Sequence, residues 1–514
     1  MDKTNMDYEN INSLEVSEIN NFYIDNKLIR NFPGSTLKEN RLIPLTRHGD
    51  TVVVISDNYP PPEAINDLEV YTGFKIDVRL EKSHVVQQLV NEHLKAPVDT
   101  VEDMLDDNNL RGLDDFKILK IDSRVENLED LAQEAPIIRL VNAIITTALK
   151  KGASDIHIEP FEDKLRLRYR IDGVLYENPA PPLELLPAII TRIKIMSELN
   201  IAERRLPQEG RIRIRVSGRE LDIRVSIIPA LHGEGVVLRL LDKAARLLDI
   251  KNLGFSEAML KRYLNLINIP HGIILVTGPT GSGKTTTLYA TLQYLNSSSR
   301  KIITIEDPVE YQLEGINQIQ VKPEINFDFA SGLRSILRHD PDIIMIGEIR
   351  DVETAKIAIQ AALTGHLVLA TLHTNDAAGA VSRLLNMGVE DYLLAATLKG
   401  ILAQRLVRVL CPRCKESYQP TSSEVNLIDD DVELLYRPAG CTFCNNIGFK
   451  GRTGIYELLT VTPQIESMIV QRASSSEIKE ELKKTGYTSL FTDGCIKVKD
   501  GLTSIDEVVR VTTQ

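Results

Sequence analysis

The spacing of apolar residues changes along the chain, and each change marks a boundary. Residues 1–40 show little periodicity and several Asn, Asp and Glu, which predicts a weakly structured, flexible leader. Over 41–97 short apolar runs return. TVVVIS at 51–56 reads as a strand, the Pro-rich 58–62 as a turn or spacer that cannot continue a sheet, 62–71 and 83–94 as helices, and 74–80 as another strand. This predicts a small N-terminal α+β domain with no catalytic constellation, a module for structure or for docking a partner. Residues 98–128 turn polar again, with an acidic run over 99–107 and Asp114-Asp115, and read as a solvated linker that lets the first domain move.

From 129 to 242 the pattern is helix, then strands. Ile137, Ile138, Val141, Ile144, Ile145 and Leu149 fall on or near one face of a helix over 135–152, with Gly152 as its C-cap. Strands follow at 156–159 and 165–171, with a turn at Asp172-Gly173. LRLRYRI alternates apolar and basic residues, so one face is buried and the other carries Arg166, Arg168 and Arg170. A helix over 183–201, a hairpin of 211–216 and 220–227 turning at Ser217-Gly218, and a last strand at 236–241 complete an arginine-rich α+β domain. After a polar connector at 243–252, strands and helices alternate through 387: strands at 273–277, 301–306, 343–346 and 367–371, helices at 284–294, 352–364 and 377–387. That order predicts a mostly parallel sheet covered by helices over 253–514, with ligands at the carboxyl ends of the strands.

The totals narrow the class. At 514 residues the chain is long enough for about three domains. The formal net charge of -12 disfavours non-specific binding to nucleic acid. No apolar run approaches a membrane span, and the acidic, polar start is not a secretory signal, so the expected location is the cytoplasm, with any membrane role exercised through a partner.

The first predicted strand of the large domain runs into Gly278, Pro279, Thr280, Gly281, Ser282, Gly283, Lys284 and Thr285, followed by Thr286 and a helix. This is a complete G-x-x-x-x-G-K-[ST] phosphate loop in its strand–loop–helix setting. Its glycines let the backbone wrap a phosphate, and the helix-start amides point at the anion. Lys284 is expected to reach the β- and γ-phosphates of ATP, and the Thr285 hydroxyl to bind Mg²⁺. Three strand ends bring acids and a histidine to the same edge: Glu306-Asp307-Pro-Val-Glu310, Gly347-Glu348-Ile-Arg350, and His373. Glu348 is the candidate for the metal shell. Glu310 is the first choice for activating water, with Glu306 its competitor, and His373 could sense the γ-phosphate. Taken alone, a histidine at a strand end is more often a structural hydrogen-bonder; His366 has the weaker case of the two.

Five cysteines remain. Cys411 and Cys414 form C-P-R-C, and Cys441 and Cys444 form C-T-F-C, two knuckles whose spacing is a structural Zn²⁺ signature within 405–455. Four thiolates close the tetrahedron and leave no open position for catalysis. Cys495 reads as an ordinary, at least semi-buried thiol.

The runs ITIEDPVEY, LRHDPDIIMIGEIRDVETA and TGHLVLATLHTNDA, together with ASDIHIEPFEDKLRLRYRIDGVL upstream, resemble the Asp box, Walker B, His box and N-terminal subdomain of the bacterial secretion-superfamily ATPases, the motors of type II secretion and type IV pilus assembly. The resemblance covers 130–514 closely and the first domain loosely. It implies a multidomain α/β and α+β protein: a small N-terminal α+β domain, a PAS-like α+β domain, a RecA-like P-loop domain and a zinc-knuckle insertion. It also implies a homohexamer that holds ATP between its two large domains. Arg224 and Arg239 would then touch the phosphates, with Arg334, Arg338 and Arg350 near the site or the subunit boundary. The N-terminal domain would dock on inner-membrane secretion or pilus platform proteins, giving peripheral membrane association and no direct contact with nucleic acid. Gly347 rather than Asp precedes Glu348, so Glu348 is expected to act on the metal through water. The tetracysteine module and extra N-terminal domain favour secretion or extension over retraction, and a single domain before the linker favours type II secretion. A nucleic-acid translocase and a nucleotide-binding scaffold without turnover are the readings from other classes.

Overall fold

The computed structural model describes residues 40–93, 135–216, 219–242, 249–428, 432–484 and 486–513, together with 26–29, 32, 36–37, 128–129 and 131–132. Most of the expected leader and linker, the turn at Ser217-Gly218 and most of the connector at 243–252 lie outside the described residues. The chain forms two units divided at Asp242, with the turn Ile171–Val174 counted with the second.

In the first unit, Ile43–His48, Thr51–Ser56 and Lys75–Leu80 make a three-stranded sheet, the first pair antiparallel and the second parallel. Helices Pro62–Thr72 and Ser83–His93 belong to the same domain. The first ends at Gly73, which takes φ 71° and donates its N–H to the Glu69 carbonyl. Leu28, Ile29, Phe32 and Leu37 share the core of this domain with Leu42, Val52 and Leu68. Part of the expected leader is therefore packed structure; four scattered apolar residues carry no periodic signal, but each fills a place in the core.

The larger sheet of this unit has six strands in the order Val174–Asn178, Leu165–Ile171, Ala153–Pro160, Gly233–Asp242, Arg219–Ala230 and Gln208–Val216. Leu165, Leu167, Tyr169 and Ile171 are buried, as the alternation predicts. On the other face Arg168 forks onto the Glu159 carboxylate at 2.7–3.0 Å. The helix expected to reach 201 stops at Met196. The Ser197 hydroxyl takes the Ile193 carbonyl at 2.6 Å. Buried Lys194 draws the following segment back, with its Nζ 2.7 Å from both Glu203 O and Glu234 Oε1.

The second unit is built on a seven-stranded sheet in the order Asn317–Gln320, Ile302–Glu306, Ile343–Ile346, Leu367–Leu372, Gly272–Thr277, Leu398–Leu410 and Phe449–Thr460. Every neighbouring pair is parallel except the last. All six residues of Gly272–Thr277 are buried, as a strand covered on both faces requires. Residues of alternate parity go to the two faces: Ile274 and Val276 pack with Leu288 of helix Lys284–Leu295, Ile273 and Leu275 with the core on the other side. The strand order carries the carboxyl ends of Gly272–Thr277, Ile302–Glu306, Ile343–Ile346 and Leu367–Leu372 to one edge. The two longest strands, Leu398–Leu410 and Phe449–Thr460, fall beyond the alternation legible in the sequence.

Candidate phosphate site and cysteine cluster

The loop after Gly272–Thr277 depends on its glycines. Gly278 has φ 152°, and a Cβ there would come within 2.5 Å of the Gln404 carbonyl oxygen and of Ser282 Oγ. Gly281 and Gly283 take φ 79° and 87°. Lys284 folds back across the loop, its Nζ donating to Gly278 O at 2.8 Å and Pro279 O at 3.1 Å. Burial pulls this lysine down to about 8; the Glu348 carboxylate opposes the shift and Arg405 adds to it. Pro279, Thr280, Gly281 and Thr285 are exposed, and Thr286 half-buried, so Thr285 is open to a cation at the helix start.

The neighbouring strand ends are stitched together. The Thr371 hydroxyl donates to Gly347 O at 2.5 Å, the Ile349 amide donates to Thr371 O at 3.0 Å, and Thr277 and Thr374 hydroxyls meet at 2.7 Å. A Cβ on Gly347 would press to 3.3 Å from Ile305 O and Glu306 Cα, which accounts for glycine rather than an acid at this position. Glu348 is held by His373 Nε2 at 3.1 Å and by Arg350, whose other nitrogen lies 3.8 Å from Asp307. Lys284, Glu348, His373, Arg350 and Asp307 thus share one edge.

The two candidate bases differ. Glu306 is 3% exposed, and its carboxylate accepts from Thr304 Oγ1 at 2.5 Å, Gln318 Nε2 at 3.1 Å and the Tyr289 hydroxyl. Glu310 is exposed, tied to this cluster through its backbone amide, which reaches the Tyr289 oxygen at 3.4 Å. His366 stands before the opposite end of Leu367–Leu372, about 20 Å from the site by strand rise. There its Nδ1 lies 2.8 Å from Ala361 O, at the end of helix Val352–Leu363. Arg334 pairs with Glu353, and Arg338 touches Ser335.

In the first unit, Arg211, Arg224, Arg239 and Asp155 lie in one row across four neighbouring strands. Arg239 Nε reaches Asp155 Oδ1 at 2.9 Å.

Gln404 and Arg405 were not legible as part of the site. Their sequence signal is weak: a polar pair in a mostly apolar strand that also carries Lys399 and Arg408. Gln404 Nε2 donates to Ser282 O at 2.7 Å.

The four knuckle cysteines form the metal-capable cluster among the described residues, with all sulfurs within 4.8 Å of one another. Cys411–Cys441, Cys414–Cys444 and Cys441–Cys444 sulfurs stand 3.9, 3.7 and 3.8 Å apart. Zn–S bonds of about 2.3 Å give a tetrahedron with edges of about 3.8 Å. Amides of Gly440, Cys441 and Gly448 donate to Cys414 and Cys444 sulfurs at 3.2–3.3 Å, the support a thiolate needs. The residues therefore fit zinc. Cys441→Ser is expected to lower bound zinc, measured by elemental analysis of the purified chain, from about one per chain to near zero, because three ligands leave the tetrahedron open. Cys495 is buried, as expected.

A phosphate loop beside an acid, a histidine and an arginine on adjoining strand ends defines a P-loop nucleotide hydrolase. Residues 130–510 match the family model for the Type II/IV secretion system protein, and residues 12–99 match the MshEN domain. The chain belongs to this secretion ATPase family and is an ATP hydrolase. Type II secretion system protein E of Xanthomonas campestris pv. campestris is 50% identical over 93% of this chain and 84% of its own. The type IV pilus assembly ATPase PilB of Myxococcus xanthus is 44% identical over 96% of this chain and 88% of its own. Among solved structures, the pilus retraction motor PilT with bound ADP aligns at TM-score 0.50 and 27% identity, over 72% of this chain and 96% of that one. The RecA-like fold of the second unit follows from this family.

Proposed function

We propose that the protein is the ATPase motor of type II secretion, coupling ATP hydrolysis to pseudopilus assembly at the inner membrane. The observation that carries this is the 50% identity to a type II secretion protein E over 93% of the chain. The 44% identity to a pilus assembly ATPase over 96% of the chain favours type IV pilus extension as the second reading. Deleting the gene and assaying exported enzymes and surface pili separates the two. Retention of the exported enzymes with intact pili is expected; loss of pili with normal export overturns the type II reading. Strong stimulation of the ATPase by DNA would overturn both in favour of a nucleic-acid translocase, against which the net charge of -12 argues.

On this reading Lys284 holds the β- and γ-phosphates, Thr285 contacts Mg²⁺ and Glu348 reaches it through water. When bound, Mg²⁺ neutralises charge on the phosphates. Glu310 orients the attacking water. Glu306, whose carboxylate already accepts from three donors, orders the strand end instead. His373 carries the state of the γ-phosphate to Glu348, supported by their 3.1 Å contact. Arg224 and Arg239 complete the site when nucleotide binds, a role supported by the crowded arginine row. Arg239→Ala is expected to lower turnover by about tenfold or more while ADP affinity changes less, since an arginine recruited on closure acts mainly in the transition state; phosphate release and ADP titration check this.

The working unit is a homohexamer, peripheral to the inner membrane on its cytoplasmic face. No helix among the described residues is long and apolar enough to cross a membrane. The domain matched over 12–99 is the natural tether to a secretion platform protein, and zinc orders the knuckle as a surface for a partner.

A further inference from the structure

Strand Leu398–Leu410 lies directly beside the phosphate-loop strand, with Ala403 opposite Thr277. Consecutive strand residues point to opposite faces. Gln404 and Arg405, 1% and 6% exposed, therefore reach the two sides of the sheet. Their neighbours show which side is which: Leu402 packs in the cluster with Leu288 of the phosphate-loop helix, Ala403 and Val407 in the cluster on the other face.

On the first side, Gln404 Nε2 donates to Ser282 O at 2.7 Å, and a Cβ on Gly283 would lie 3.2 Å from the same nitrogen. On the second, Arg405 Nη2 donates to Asn375 O at 3.2 Å and Asn375 Oδ1 at 3.1 Å, two residues beyond His373. Its Nε donates to Val511 O at 3.3 Å, in helix Ile505–Thr512. Ser282 Oγ, Gln404 Oε1 and Arg405 Nη1 are buried without a hydrogen-bond partner among the described residues. A sheet optimised for stability alone would place apolar side chains here, because unmatched buried polar atoms are costly.

We propose that Gln404 and Arg405 are positioning residues for hydrolysis. Gln404 fixes the apex of the phosphate loop; Arg405 fixes the loop after His373 and ties it to the C-terminal helix. One strand thereby registers the two walls of the nucleotide site from opposite faces. The Gln404 half rests on the phosphate loop alone, and the Arg405 half rests on the role proposed above for His373.

The test compares variants of the full chain by ADP titration and steady-state phosphate release. Gln404→Met keeps length and bulk but removes the donor, and is expected to weaken ADP binding about tenfold. Gln404→Asn withdraws the amide by one methylene and should show the same loss. Normal ADP binding by either variant overturns the loop half. Arg405→Lys keeps the charge without the planar fork, and is expected to lower turnover about tenfold with ADP affinity within about twofold. Turnover unchanged in Arg405→Lys, or affinity and turnover falling in equal proportion as general loosening would produce, overturns the second half. His373→Ala run alongside separates the failures: unchanged turnover there removes the role given to His373 and leaves the ADP result for Gln404 standing.

Discussion

Lys284→Ala is expected to reduce phosphate release by about 10²–10³-fold and to weaken nucleotide binding with it. The lysine is the one cation held within the phosphate loop, and removing a preorganised donor from a water-excluded site has effects of about this size. Its Nζ donates to the carbonyls of Gly278 and Pro279, which hold the ammonium over the loop where charged phosphate oxygens would be stronger acceptors. A pH dependence follows from the lysine standing at about 8 against an ordinary 10.5. Between those values the unfolded chain holds a proton that the folded chain has lost, so this group's contribution to stability rises with pH across the window. Nucleotide affinity moves the other way, because the phosphates require the ammonium form. Binding should take up a proton above about pH 8, and apparent affinity should fall there. Calorimetric ADP titration at pH 7 and pH 9, in buffers of different ionisation enthalpy, measures both effects. Equal affinity and no proton uptake at the higher pH would show that the lysine keeps its proton throughout.

Glu348→Gln should cut turnover by about 10²-fold while leaving ADP affinity nearly intact, since the exchange removes a charge used in the transition state and keeps the side chain's shape. Rapid filtration of bound nucleotide alongside phosphate release checks this: the variant should retain unhydrolysed ATP. Glu306→Gln is the contrasting case. Its carboxylate sits under Tyr289, Thr304 and Gln318, and an amide cannot accept all three. Its main effect should therefore be a lower melting temperature, from a cost of about 1–3 kcal/mol. If Glu306→Gln instead traps ATP and Glu310→Gln does not, the assignment of the water-orienting role to Glu310 is wrong.

What could be read from the sequence was whatever is local. The phosphate loop announces itself because strand, glycines, lysine and helix are contiguous. LRLRYRI gives its buried face because a strand alternates. The acids and His373 could be grouped because parallel sheets collect carboxyl ends at one edge. What stayed hidden depends on partners distant along the chain. Nothing near Glu306 says that Tyr289 and Gln318 will cover it. Nothing in LKGILAQRLVRVL says that this strand lies beside the phosphate loop, because sheet order is set by packing of the whole domain. Leu28, Ile29, Phe32 and Leu37 were obscured for a related reason: they complete a core whose other members begin only at Leu42, so their own spacing carries no period.

The zinc knuckle occupies the connection between Leu398–Leu410 and Phe449–Thr460, and the last pair of that antiparallel ladder is Leu410 with Phe449. The segment between them closes where the Cys411 amide meets the Gly448 carbonyl at 2.9 Å, and it also packs on the domain: Ile428 and Leu435 are buried in the core that lies against the parallel sheet, and Lys415 Nζ donates to Gly501 O at 2.8 Å. Cutting the segment out would therefore uncover apolar core as well as remove the cysteines, so the knuckle is built into the domain rather than hung from it. A change in this segment must then keep its apolar contacts with the layer that supports the phosphate loop, so the history of the one is tied to the history of the other.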